Sequence, residues 1–149
     1  LKDRYDRIVD QLIPLFDKNP DPLSRMATSV ALLHHKMNHF FWTGFYRLAG
    51  GDLIVGPYQG PLACSILEPR GTGVCWAAVE RNESILVPDV SSFEGHIACD
   101  SRSASEVVVP VRDDGENLIG VLDVDSAAAD AFSTVDVAGL ESVTRLIYR

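Results

Sequence analysis

Apolar residues recur along the chain with two different periods, and the alternation between them outlines the fold. From residue 2 to 16, Ile8, Val9, Leu12, Ile13 and Phe16 fall at helical spacing with Asp and Arg opposite, which predicts an amphipathic helix. Pro14 offers no N–H to the carbonyl of Asp10, so this helix is expected to kink or fray near its end. Asp21-Pro22 starts a second helix, with Asp as N-cap and Pro at the first helical position. Leu23, Met26, Ala27, Val30, Ala31 and Leu33 form its apolar stripe towards Met37. The period then changes. Residues 40–48 are rich in aromatics and read as a strand, Gly50-Gly51-Asp52 as a tight turn, and 53–58 as the returning strand. Glycines and prolines break up 56–73, after which 74–80 reads as a short helix and 84–87 as a short strand stopped by Pro88. Two further strands, 106–111 and 117–125, flank the hairpin signal Asp113-Asp114-Gly115. Ser133 caps a closing helix, with Asp136 in its first turn and Val137, Leu140, Val143 and Ile147 as its buried face. Hairpins with flanking helices predict one α+β domain over residues 1–149, built on a central antiparallel sheet.

Composition narrows the picture. With 149 residues, 46% of them hydrophobic, the chain can bury one core, and disorder is excluded. No apolar run approaches the ~18 residues of a bilayer-crossing helix. Twenty-one acidic against 13 basic residues give a net charge of -8, a surface that repels phosphate backbones and anionic lipids. Neither nucleic acid nor a membrane is therefore expected as a partner. The three cysteines are odd in number and grouped between positions 64 and 99, unlike the framework of a secreted disulfide scaffold. A cytoplasmic location follows as the expectation, with thiols kept for chemistry.

Three features carry candidate chemistry. In Gly120-Val121-Leu122-Asp123-Val124-Asp125-Ser126, strand alternation sends Leu122 and Val124 to the core and puts Asp123 and Asp125 on the other face, roughly 7 Å apart. Partial burial of such a pair raises at least one pKa, which suits binding a cation or holding a proton as a general acid. An edge strand with a solvated face is the bland alternative. The second feature is the loop of about 17 residues from 89 to 105, long for a compact domain. It holds Cys99 among small and polar residues close to His96, a setting that favours a reactive thiolate. The quartet Cys64, Cys75, His96 and Cys99 could in principle hold zinc, but no CxxC pair is present and the spacing fits no compact zinc module, so no metal is expected. Thirdly, Trp42 and Tyr46 share strand parity and would make an aromatic wall, with Gly44 leaving room between them.

Taken in order, Trp42-x-Gly44-Phe45-Tyr46, the stretch Gly56-Pro57-Tyr58-Gln59-Gly60-Pro61-x-Ala63-Cys64, Gly73-Val74-Cys75 and Gly95-His96-Ile97-Ala98-Cys99-Asp100 form a pattern that continues in Ser105-Glu106-Val107-Val108-Val109-Pro110 and the Asp123/Asp125 strand. The chain resembles the free methionine-(R)-sulfoxide reductases, a family with a GAF-type fold, over nearly its whole length. That resemblance implies N- and C-terminal helices on one side of the sheet and a loop-covered ligand cavity on the other. It implies thiol-dependent reduction of free methionine sulfoxide without a cofactor, through a cysteine sulfenic acid and an intramolecular disulfide recycled by thioredoxin or a similar dithiol. It makes Cys99 the nucleophile, with Cys64 its first and Cys75 its second candidate partner. Trp42, Tyr46, Glu106, Asp123 and Asp125 would line the substrate pocket, with Glu106 or Asp125 as proton donor. Trp76 after the middle cysteine, Ala104 before the glutamate and Arg102 depart from the family pattern. A GAF sensor that binds a small ligand without turnover is the alternative, and apolar residues exposed on the helices would permit a homodimer.

Overall fold

The computed structural model describes every residue except Ala98. Four α-helices and five strands follow in the order α1 (Lys2–Lys18), α2 (Pro22–Lys36), β1 (Trp42–Ala49), β2 (Asp52–Gln59), α3 (Gly73–Arg81), β3 (Ile85–Val87), β4 (Ser105–Arg112), β5 (Leu118–Ser126) and α4 (Thr134–Thr144). The strands form one sheet in the order β2-β1-β5-β4-β3, every neighbouring pair antiparallel. Each expected helix and strand is present, with ends displaced by a residue or a few. Among the described residues, no helix is long and apolar enough to cross a membrane.

The two faces of the sheet carry separate cores. On one, Phe45, Val107, Val109, Leu122 and Val124 pack against Ile8, Leu12 and Phe16 of α1, Met26, Val30 and Leu33 of α2, and Leu140 and Val143 of α4. On the other, Trp42, Tyr46, Val108 and Val121 meet Val74, Cys75 and Ala78 of α3. The two-residue period of β5 decides this split: Leu122 and Val124 go to the first core, and Asp123 and Asp125 turn to the α3 side.

Two helix expectations need correction. α1 does not fray after Pro14 but continues to Lys18, because Phe16 is anchored in the core and its carbonyl accepts from Arg25 Nη2 at 2.6 Å. The inner face of α2 takes only half of the expected apolar stripe. Leu23, Ala27 and Ala31 are exposed, whereas Arg25 and Ser29 are buried beside Met26, Val30 and Leu33. Arg25 lies inside because its guanidinium gathers carbonyls from two helix ends: Phe16 in the last turn of α1 and Asn19 just beyond it, and Leu146, Ile147 and Arg149 after α4. A fixed positive charge at these carbonyl ends also complements the helix dipoles.

α4 is held by a capping box between Ser133 and Asp136, and Asp136 does more than cap. Its carboxylate also accepts from Tyr5 Oη at 2.7 Å and faces His39 Nε2 at 3.0 Å, joining α1, the β1 approach and α4. Burial alone would raise this carboxyl, but the hydrogen bonds from His39, Tyr5 and the Ser133 N–H outweigh it and hold the pKa below the usual range. Asp136→Ala is expected to cost about 2–3 kcal/mol at neutral pH, since it removes a charged acceptor from buried donors. The lowered pKa means that this stability is present above the ordinary carboxylate range and is lost as pH falls through the folded value. Urea unfolding of both proteins at neutral and acidic pH checks it, and the gap between them should narrow in acid.

Candidate active site

The cavity lies on the α3 side of the sheet, beneath two irregular segments that carry the cysteines. β4 and β5 build its floor. Their register sets Glu106 directly opposite Asp125, and Val108 opposite Asp123, so three carboxyl groups meet on one face. Glu106 and Asp123 are buried and Asp125 is half-buried. Glu106 stands between Asp123 and Asp125, so each carboxyl bears on its neighbour's proton. Three carboxyl groups held this close and out of water cannot all be charged. Burial first, and repulsion from the neighbouring carboxylates second, raises all three well above the ordinary range. Asp123 Oδ1 is buried with no hydrogen-bond partner.

The thiols stand around this floor. Cys75 is in the first turn of α3, buried and free. Its sulfur and carboxylate oxygens of Glu106 and Asp123 lie within 4.8 Å of one another. Burial, reinforced by Asp123 and Glu106, pushes the Cys75 thiol up, so it is a poor thiolate. Cys64, on the segment after β2, forms a disulfide with Cys99 with a Cα–Cα distance of 5.5 Å. This bond ties together the two segments that roof the cavity, and it takes apart the zinc quartet considered above. Cys99 is exposed and lines the same cavity as the three acids.

Trp42 and Tyr46 form the aromatic wall. Their rings stack with centroids 5.7 Å apart, and Trp42 stacks on Tyr58 as well at 5.4 Å. Gly44 does not leave room for a ligand as expected. A Cβ there would overlap the Trp42 ring and the Tyr58 Cβ, so the missing side chain is what lets the indole lie across the strand. Trp42 Nε1 then donates to the Pro61 carbonyl at 3.1 Å and Tyr46 Oη to the Cys64 carbonyl at 3.1 Å, fixing the segment that presents Cys64.

One pairing and one participant were not assigned from the sequence, which placed His96 beside Cys99 only. His96 Nε2 stands 3.3 Å from Glu106 Oε1, a pairing across ten positions that only the folded loop creates. Burial lowers its pKa and keeps the imidazole neutral. The second is the start of α3. No side chain caps it, and Gly73, Val74 and Cys75 line the cavity, so its first-turn N–H groups are left to be satisfied by solvent or by an anion. Glycine at a helix start after an irregular loop was the available signal.

The three departures from the family pattern have structural roles. Trp76 Nε1 donates to the Leu67 carbonyl at 3.0 Å and braces α3 against the segment behind Cys64. Arg102 chelates Asp100 through Nε at 3.0 Å and Nη2 at 2.7 Å while lying over the Phe41 ring, 4.8 Å from its centroid. That hydrogen bonding pulls the Asp100 carboxyl down to about 2. The backbone N–H of Ala104 donates to the Ser126 carbonyl at 2.7 Å, so the loop re-enters the sheet without needing a side chain at that position.

Known proteins share this sequence pattern and fold. A GAF domain family model matches residues 23–148. The free methionine-R-sulfoxide reductase of Escherichia coli is 42% identical over 121 residues, covering 81% of this chain and 72% of that protein. The solved structure of free methionine-R-sulfoxide reductase from Neisseria meningitidis in complex with its substrate superimposes with a TM-score of 0.90 at 35% identity, covering 97% of this chain and 86% of that one. GAF domain-containing protein A of Dictyostelium discoideum is 37% identical over 147 residues, 98% of this chain and 91% of that protein. With the fold, the acidic floor and the cysteine arrangement in place, these relatives settle the membership: the chain belongs to the GAF-domain family of free methionine-(R)-sulfoxide reductases.

Proposed function

We propose that this protein reduces free L-methionine (R)-sulfoxide to methionine in the cytoplasm, with Cys99 as nucleophile, Cys64 as resolving thiol and thioredoxin or a similar dithiol as reductant. The observation that carries this reading is the meeting, in one cavity, of the carboxyl trio with Cys99, which is disulfide-bonded to Cys64. A sulfoxide sulfur is a poor electrophile until its oxygen accepts a proton. Glu106 or Asp125, kept neutral by burial, supplies that proton as the Cys99 thiolate attacks sulfur. The oxygen ends on the enzyme as the Cys99 sulfenic acid, and methionine leaves with the sulfur electron pair restored. Cys64 then attacks the sulfenic sulfur, water departs with the oxygen, and the Cys64–Cys99 disulfide forms. The external dithiol reduces that bond by exchange and is itself oxidised.

Recognition of the free amino acid follows from charge. The ammonium pairs with the acidic floor, where Asp123 Oδ1 waits without a partner. The carboxylate is received by backbone N–H groups at the start of α3 and in the Cys99 loop. Trp42 and Tyr46 hold the thioether end. A peptide amide carries no charge to exchange for the ammonium, so methionine sulfoxide within a protein is excluded.

The test supplies reduced enzyme with thioredoxin, thioredoxin reductase and NADPH. NADPH should be consumed with free methionine (R)-sulfoxide, and not with the S epimer or with a blocked peptide containing the sulfoxide. Binding of the free sulfoxide without NADPH consumption, under any dithiol, would instead favour a ligand-sensing module.

A further inference from the structure

We propose that the acidic end of the cavity is also an inhibitory site for a thiophilic divalent cation of the zinc type, held by Cys75, Glu106 and Asp123 with His96 beside them. The proposal rests on the reading of the cavity as the sulfoxide site and adds a regulator to it. Donor atoms of Cys75, Glu106 and Asp123 already cluster within 4.8 Å, where one ion can touch all three. Ligands at the usual zinc distances of about 2.0–2.3 Å stand roughly 3.3–3.8 Å apart, so only a small contraction is needed. His96 Nε2, 3.3 Å from Glu106 Oε1, lies beside these three donors and outside the cluster, which leaves the fourth position to water.

A second observation, made on one of the three ligands, also points to a cation. Asp123 is 5% exposed, and its Oδ1 has no hydrogen-bond partner within the cavity wall. A buried oxygen left in that condition is costly, and a cation relieves it. The donor set selects the metal. One sulfur and two carboxylate oxygens suit zinc or cobalt, whereas magnesium and calcium avoid sulfur. Cys75 is also the thiol that the disulfide leaves free, so the site survives in the oxidised protein. On binding, the Cys75 thiol and the protonated carboxyls of the Glu106/Asp123 pair give their protons to solvent, and the metal takes their place. The ion then sits where the substrate ammonium pairs, so inhibition is competitive.

The experiment titrates Co2+ into oxidised protein, in which Cys64 and Cys99 are joined and Cys75 is the free thiol. One equivalent should bind, with a thiolate-to-cobalt charge-transfer band in the near ultraviolet and tetrahedral visible bands, and Zn2+ should displace it. Cys75→Ser should abolish the charge-transfer band. Asp123→Asn should keep that band and weaken binding about tenfold or more, far-UV circular dichroism confirming the fold of both. With reduced enzyme, Zn2+ should raise KM for the sulfoxide and leave kcat unchanged, and EDTA should reverse this. Absence of a saturable 1:1 spectrum, persistence of the charge-transfer band in Cys75→Ser, or inhibition that excess sulfoxide does not relieve overturns the proposal. Sulfoxide reduction measured in EDTA tests the reaction alone, so failure there is distinguishable from failure of the metal site.

Discussion

Cys99→Ser is expected to lower turnover of free methionine (R)-sulfoxide by at least about 10³-fold, because a serine hydroxyl cannot take the sulfoxide oxygen and pass it on. Cys64→Ser should behave differently. It should retain a single turnover, release one methionine and stall as the Cys99 sulfenic acid, which dimedone traps and mass spectrometry locates. The disulfide separates these roles. Cys64 and Cys99 sit on facing segments with Cα atoms 5.5 Å apart, within reach of a bond, while Cys75 is buried in α3 next to Asp123. Trp76, hydrogen-bonded to Leu67, keeps α3 braced, so Cys75 is not placed to swing outward. Full activity in Cys99→Ser would refute the assignment of the nucleophile.

The second large effect concerns the proton. Glu106→Gln or Asp125→Asn is expected to lower kcat by about 10²- to 10³-fold, since each removes a carboxyl from the chain that shares the donated proton. The sign of the pH dependence follows from the direction of the shifts. Burial raises Glu106 and Asp125, so the donor is protonated at neutral pH and is lost as pH rises through the folded value. Wild-type kcat should therefore fall at the alkaline side with a limb that the variant of the true donor lacks. Parallel pH–rate profiles identify it: the profile without that limb belongs to the donor, and two unchanged profiles would place the proton elsewhere. The same raised carboxyls contribute to folding stability below the ordinary carboxylate range, and that contribution is lost as pH rises through their folded values.

Local rules made much of the molecule legible. Helices and strands follow from periods that neighbouring residues set, and the Asp123/Asp125 face follows from alternation with Leu122 and Val124 inside one strand. The caps at Asp21 and Ser133 are likewise contacts over two or three residues. Where the expectation failed, the deciding partner was distant. Arg25 reads as a surface residue until the carbonyls of Leu146 and Ile147 arrive from the far end of the chain. Gly44 reads as open space until the Trp42 ring and Tyr58 fill it.

By itself, then, the sequence determined the elements, the sidedness of each strand and, through motifs shared with a family, which residues to suspect. Only the tertiary structure decided that Glu106 faces Asp125 across a ladder, that His96 reaches Glu106, and that Cys64 rather than Cys75 bonds Cys99. Periodicity and capping act within a turn or a strand, whereas strand register and loop closure depend on partners tens of residues away, and the acidity of the cavity exists only once those partners have excluded water.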